Sequence, residues 1–499
     1  MNATGVVVLA ADDDVGVAIR ALSPGDAVVP GVVAVEPIPA GHKVALRAIA
    51  RGRPVMKYAQ PIGEALTDIA PGEHVHIDEL GFVPGTERRV VAATARPLPD
   101  PGPARFMGYR RADGRVGTRN HIGIVASVNC SVTVCRRIAE EANRRLLPRY
   151  PGIDGFVPIV HGQGCGSSTA GEGPAILRRT IAGYLGHPNF AASLLIGLGC
   201  EVNQIVLYAN AGKGANVTAF DIQDVGGSRS AVEKALALLE PMAEAASRLV
   251  REEVPASELV VGLQCGGSDG FSGITANPAL GAAMDRLVAA GGTAILSETP
   301  EIHGAEHLLT ARAEPEIAAK LTARLDWWRD YVGASGASLD NNPSPGNKRG
   351  GLTTILEKSL GAVAKGGRSR LVDVVRYAER VTGRGLVFMD TPGYDPVSAT
   401  GQVAGGANLI VFTTGRGSCF GCRPTPSIKV SSNSDLATRM AEDIDLDAGR
   451  ILSGTATVDA VGAEIFARIL AVASGEPTKS EAFGYGDDEF VPWHIGAVL

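Results

Sequence analysis

Six short, largely apolar runs, each leading into a glycine-rich or polar loop, constrain the fold of this chain more than any other feature. They are IGIVASV (122–128), SLLIGLG (193–199), ELVVGLQ (258–264), TAILSET (293–299), GLVFMDT (385–391) and NLIVFTT (408–414). Helical patterns lie among them over 228–252, 314–332, 352–365 and 458–473. Strands apolar on both faces that alternate with helices belong to parallel sheets covered by helices. The expected class is therefore α/β with parallel sheets.

Residues 1–95 follow another rhythm. Runs such as GVVVL, HKVALRAI and HVHID are punctuated by SPGD, PIPAGH and IAPGE, which predicts a small β-rich module. A linker over 96–105 follows, in which RPLPDPGPA places four prolines in nine residues; such a segment is stiff and extended. Two parallel-sheet domains are expected beyond it, over 106–252 and 253–499, divided where a charged helix ends in REEVPASE. A chain of 499 residues is too long for one ordinary core.

Several function classes are disfavoured. The net charge is −6 and no Lys/Arg run is interleaved with aromatics, so nucleic acid is not an expected partner. No apolar run approaches the ~18 residues of a membrane span, and MNATGVVVLAADDD lacks a basic segment followed by a long apolar core. The seven cysteines, an odd number spread along the chain, fit reduced thiols in a cytoplasm.

Four of those cysteines share a setting: Cys130, Cys165, Cys200 and Cys265 each stand at or just past the carboxyl end of an apolar run. Ligands bind at that edge of parallel sheets, and four thiols there could hold ferrous iron, an iron–sulfur cluster or zinc. Any one of them alone is ordinarily a small buried hydrophobe. TTGRGSCFGCRP carries Cys419 and Cys422 in a CxxC, readable as a redox pair, a metal clip or a plain turn, with Arg416 offering a fork for a carboxylate. NNPSPGNKRGG places Asn347 and Lys348 where an anion could bind, without the spacing of a P-loop. In HGQGCGSSTAGEG, His161 is a candidate base or ligand. Glu298, Glu301, His303 and Glu306 form an acid/base neighbourhood in SETPEIHGAE. His42 and Lys43 open a strand in AGHKVAL, and His76 and Asp78 share a face in VHID, where a surface strand is the default. Ser268 and Asp269 lie in LVVGLQCGGSDGFSG, whose glycines would let backbone amides approach an acidic substrate.

Taken together, GYRRADGRVGTRN (108–120), GLGCEVNQ, LQCGGSDGFSGITANPALG, NPSPGNKRGG and TTGRGS resemble the altronate/galactarate dehydratase family. AGHKVALRAIARGRPVMKYAQPIGEAL resembles that family's SAF module, a small β-clip domain. The resemblance spans nearly the whole chain. It implies a hydro-lyase that converts a sugar acid, or a related small hydroxy acid, into a 2-keto-3-deoxy acid. It further implies iron, as Fe2+ or an iron–sulfur cluster, with another divalent metal as the alternative. Cys130, Cys165, Cys200 and Cys265 fall in family motifs and become metal ligands on this reading; His42 and Lys43 fall in the SAF motif. Lys348 and Arg416 fall in motifs that would hold carboxylates, with Asn347, Ser268 and Asp269 beside them. His161 and Glu298 complete the catalytic candidates, and a homo-oligomer is expected. Ala10 and Asp78 stand where the altronate branch carries histidines, and the Cys419/Cys422 turn is unlike either branch. The substrate is therefore open between altronate, galactarate and another hydroxy acid. Two further readings are a sulfo-lyase acting on sulfolactate and a sugar-acid-binding protein without catalysis.

Overall fold

The computed structural model describes residues 5–83, 97–166, 168–209 and 216–496. The module boundary expected at 95–96 lies outside the described residues. Within them, the N-terminal module is built from short antiparallel pairs. Val6–Val7, Val15–Ala18, Lys43–Ala45 and His74–Val75 form one sheet; Pro54–Lys57, Gln60–Ala65 and Leu80–Gly81 form another.

The second domain is a four-stranded parallel sheet in the order Gly155–Ile159, His121–Ala126, Phe190–Gly197, Val217–Asp221. Every residue of the first two strands is buried. Two faces covered by helices demand that, and it is why these runs read as continuously apolar. The C-terminal domain is a seven-stranded parallel sheet in the order Leu371–Val375, Gly385–Met389, Thr293–Leu296, Val260–Cys265, Leu409–Thr414, Ser427–Ser431, Leu446–Asp447. The α/β expectation holds, with an all-β module at the amino end.

Four strands escape the apolar-run criterion. Val217–Asp221 and Leu371–Val375 keep several half-exposed or exposed residues, and Leu446–Asp447 is only two residues long. Ser427–Ser431 is wholly buried, yet it carries two serines and a lysine; Lys429 donates to the Phe420 carbonyl and the Ser431 hydroxyl to the Leu446 carbonyl. The expected helix over 228–252 ends at Ser247, and Glu252–Pro255 turns back as a strand beside Arg105–Arg110. Arg105, placed in the linker from sequence, thus begins a strand.

The module is seated on the C-terminal domain through glycines. A Cβ at Gly270 would stand 2.0 Å from the Gly41 carbonyl oxygen, and one at Gly351 would stand 2.1 Å from the same atom. At Gly273 a Cβ would meet the Tyr58 hydroxyl at 2.6 Å. Tyr58 and Ala59 form the tip of a hairpin with φ of 62° and 55°, in the left-handed region that non-glycine residues enter at a cost. The loop GGSDGFSG was expected to bring backbone amides to a ligand. Its Gly270 and Gly273 instead admit another stretch of the same chain.

Candidate active site

Where the module meets the C-terminal domain, a continuous polar seam is enclosed. Its floor is helix Ile355–Ala364, which begins where the Thr354 hydroxyl accepts from the Glu357 amide. Glu357 lies in the first turn, where a carboxylate suits the helix dipole. Its two oxygens accept from Lys43 Nζ at 2.9 Å and Lys57 Nζ at 2.8 Å, and all three side chains are essentially sealed from water. Lys43 also donates to the Gly351 carbonyl at 2.7 Å. Burial alone would push the Glu357 carboxyl up, but the two ammoniums hold it well below the ordinary range. One carboxylate serving two lysines leaves one positive charge over, and Lys43 is the member that yields, pushed down to about 8 chiefly by desolvation.

Beside this triad three imidazoles converge. His42 Nδ1 lies 2.9 Å from His74 Nε2, and the His42 and His76 rings are 4.7 Å apart. One nitrogen from each of His42, His74 and His76 falls within 4.8 Å of the others. His42 Nε2 donates to the Arg349 carbonyl at 3.2 Å, which fixes the ring and turns its other nitrogen toward the group. A metal-binding histidine is held in this way by its outer hydrogen bond. His76 Nδ1 is buried with no hydrogen-bond partner among the described residues, so that nitrogen is open to a ligand. All three rings are held below the ordinary histidine range, by desolvation first. Three neutral nitrogen donors fit a borderline divalent metal such as ferrous iron.

The seam continues through Lys358, the neighbour of Glu357 on the helix. Lys358 Nζ reaches Glu301 at 2.9 Å, and Lys365 Nζ reaches Cys265 Sγ at 2.9 Å and Glu298 at 3.1 Å. Cys265, Glu298 and Glu301 also sit within 4.8 Å of one another. Here two lysines already supply the positive charge that a metal would bring, so the group reads as an acid–base cluster. Burial, outweighing Lys365, lifts Glu298 to about 8, and lifts Asp395 to about 7; it also keeps Cys265 a thiol, at about 11. Lys365 stays charged. Glu298 holds φ at 73° and ψ at 66°, a strained conformation of the kind that accumulates at functional sites. A void of about 10 Å³ is lined by Tyr58, Cys265, Ser268, Glu357 and Lys358 among others. That is room for about one water molecule.

The other sequence candidates are distributed as follows. Asn347 is spent on structure: its carbonyl oxygen accepts from Ser344 and its amide donates to the Ser268 carbonyl at 2.8 Å. Asp269 accepts from Phe271, Ser272, Ser432 and Asn433, leaving little of the carboxylate for a ligand; Ser268 is buried beside it. Lys348 is half-buried next to the Arg349 carbonyl, and Arg416 is exposed with its backbone tied to Gly267. Neither makes a salt bridge with a described carboxylate. Asp78 sits exposed in a turn beyond the strand, rather than on a shared strand face with His76. The four strand-end thiols do not form one site. Cys265 is in the seam, whereas Cys130, Cys165 and Cys200 stand exposed at the edge of the second domain. Cys422 is buried against Tyr184 and its thiol is lifted beyond the ordinary range by that burial, a poor redox partner for Cys419. Sequence reasoning missed His74, Lys57, Glu357, Lys358 and Lys365. The signal was available in HVHID and in two lysines set seven apart within the apolar helix LEKSLGAVAK.

His161 lies elsewhere, in the second domain, with both nitrogens committed: Nε2 to the Ala126 carbonyl at 3.0 Å and Nδ1 to the Gln163 amide at 3.1 Å. Burial holds it down to about 4 and His187 to about 3. The unfolded chain binds protons at these residues near pH 6.5 whereas the folded one does not, so stability falls as pH drops below that value. Each histidine costs roughly 1.4 kcal/mol per pH unit across its window. A melting curve at pH 5 should lie clearly below that at pH 7, and His161→Gln should reduce the difference.

Comparison with known proteins follows the same division of the chain. Residues 256–498 match the family model for the C-terminal domain of D-galactarate/altronate dehydratases. Residues 108–247 match that for the second domain of D-galactarate dehydratase/altronate hydrolase, and residues 4–82 that for the altronate/galactarate dehydratase SAF domain. Galactarate dehydratase (L-threo-forming) of Escherichia coli K12 is 38% identical over 469 residues, 91% of this chain and 90% of that protein. Altronate dehydratase of Bacillus subtilis 168 is 34% identical over 483 residues, 94% of this chain and 95% of that protein. The (2R)-sulfolactate sulfo-lyase subunit beta of Chromohalobacter salexigens is 33% identical over 384 residues, 76% of this chain and 95% of that subunit.

Proposed function

This chain belongs to the D-galactarate/altronate dehydratase family, and from that premise we propose that it is an iron-dependent hydro-lyase. It removes water from an aldarate or aldonate to give a 2-keto-3-deoxy acid. The observation that carries the metal assignment is the convergence of His42, His74 and His76, with the Arg349 carbonyl holding one ring and His76 Nδ1 left unpartnered.

Dehydration of a hydroxy acid requires loss of a weakly acidic proton beside a carboxylate and departure of hydroxide, a poor leaving group. Iron held by the three imidazoles would supply Lewis acidity toward the carboxylate and the departing oxygen. Lys348, adjacent to Arg349, and Arg416 give cations for the substrate's carboxylates. Glu298 and Lys365 hold a proton in a water-excluded cluster, where an apparent value near neutrality suits transfer. Seven unpaired cysteines support a reducing compartment, and no helix among the described residues is long and apolar enough to cross a membrane.

The sulfo-lyase relative favours a second reading, a sulfite-releasing enzyme on sulfolactate. In that relative the matching segments carry the names of separate beta and alpha subunits; here they are one chain. An anaerobic screen of galactarate, altronate and sulfolactate separates the readings. Keto acid formed from a sugar acid supports the hydro-lyase. Sulfite released with no turnover of sugar acids would establish the alternative, and binding without turnover would leave only a sugar-acid-binding protein.

A further inference from the structure

Three thiols remain outside the seam. Cys130, Cys165 and Cys200 lie on the loops that leave the carboxyl ends of His121–Ala126, Gly155–Ile159 and Phe190–Gly197, three adjacent parallel strands. All three are exposed. Desolvation first, and then the neighbouring Cys165 and Cys200 thiols, raise the Cys130 thiol above its ordinary value.

The loops that carry them are stitched to one another. The Asn129 amide donates to the Gln163 carbonyl at 2.8 Å, and the Asn203 amide donates to the Gly164 carbonyl at 3.2 Å. Asn203 Nδ2 donates to the Ser127 carbonyl at 2.8 Å, and the Ser127 hydroxyl donates to Glu201 at 2.7 Å. Gly164 holds φ at +101°, and a Cβ there would stand 2.7 Å from the Ser127 carbonyl oxygen. These contacts join all three loops, so the thiols are presented together by a fixed backbone. Packing does not explain them. Cys135, buried in the apolar core of the same domain, is the hydrophobe a cysteine ordinarily is, whereas these three face water.

We propose that Cys130, Cys165 and Cys200 hold an iron–sulfur cluster through three protein thiolates, leaving one iron for an oxygen ligand such as water or a carboxylate. All-thiolate donor sets select iron–sulfur clusters or zinc among the common metals. A structural zinc site takes four protein ligands and a catalytic one three with an open position, so it is acid-labile sulfide that distinguishes the cluster from zinc at these three thiols. The site is separate from the three histidines and does not rest on the reaction assigned above.

The test uses the full chain, reconstituted anaerobically with iron and sulfide, and reads iron, acid-labile sulfide, zinc and visible absorbance. The wild type should hold sulfide and a broad visible band bleached by dithionite. Cys130→Ser, Cys165→Ser and Cys200→Ser should each lose both signals, with circular dichroism unchanged and with the melting of the cluster-free wild type, because the thiols are exposed. Cys419→Ser, at an exposed cysteine elsewhere, should retain the cluster, as should His74→Ala, whatever its turnover. Zinc without sulfide in the wild type would overturn the proposal, as would sulfide retained by the triple serine variant.

Discussion

Glu357→Ala should cost about 3–5 kcal/mol of stability and loosen the N-terminal module from the C-terminal domain. The change strands two buried ammoniums, Lys43 and Lys57, that face one carboxylate from the module side. It also removes the acceptor of the Thr353 amide and hydroxyl, 3.0 and 2.8 Å away. The loss should appear as a lower urea midpoint and as faster proteolytic release of the module. The triple change Lys43→Met, Lys57→Met, Glu357→Leu should recover most of it, because an apolar set of similar volume is often neutral or better than a buried ionic one. If Glu357→Ala unfolds like the wild type, the triad does not hold the module. The carboxyl is held below its ordinary value, so its contribution is present above the unfolded pKa and lost only as pH falls through the depressed one. Mild acid should therefore act through the depressed histidines, His161 and His187 in the second domain and His42, His74 and His76 beside this triad, before it protonates Glu357.

Glu298→Gln should lower kcat by about 10²–10⁴ while leaving melting and KM nearly unchanged. Glutamine keeps the shape and can still accept from Lys365, but it cannot take up a proton. In the wild type kcat/KM should rise with pH along a limb near 8, set by the cluster of Glu298, Lys365 and Cys265. That limb should vanish in the variant. A variant that keeps most of its turnover and the same profile would reduce Glu298 to a structural counter-ion for Lys365.

Much of the architecture was legible because the central strands are sealed on both faces and so read as apolar runs. Ser427–Ser431 was not, because its buried Lys429 donates to the Phe420 carbonyl, a tertiary compensation that no local window contains. The site was legible in fragments. His42, Lys43, Cys265 and Glu298 stand in recognisable strings, but their grouping depends on a module docking against a domain more than three hundred residues downstream, as Lys43 and Gly351 do. Four thiols at four strand ends looked like one set. They belong to two different sheets, and only the topology separates Cys265 from the other three. The glycine-rich loop misled in the same way: close approach was correctly expected there, but Gly270 and Gly273 receive Gly41 and Tyr58 of the module.

The most direct test of the central claim, that a metal held by His42, His74 and His76 serves sugar-acid dehydration, is an iron titration of the metal-stripped enzyme with keto acid formation as readout. Turnover should be absent without metal and return in proportion to iron bound. His74→Ala should bind less iron and stay inactive at the same loading, with its fold intact by circular dichroism. Full turnover by the stripped protein, or by His74→Ala with no loss of iron, would contradict it.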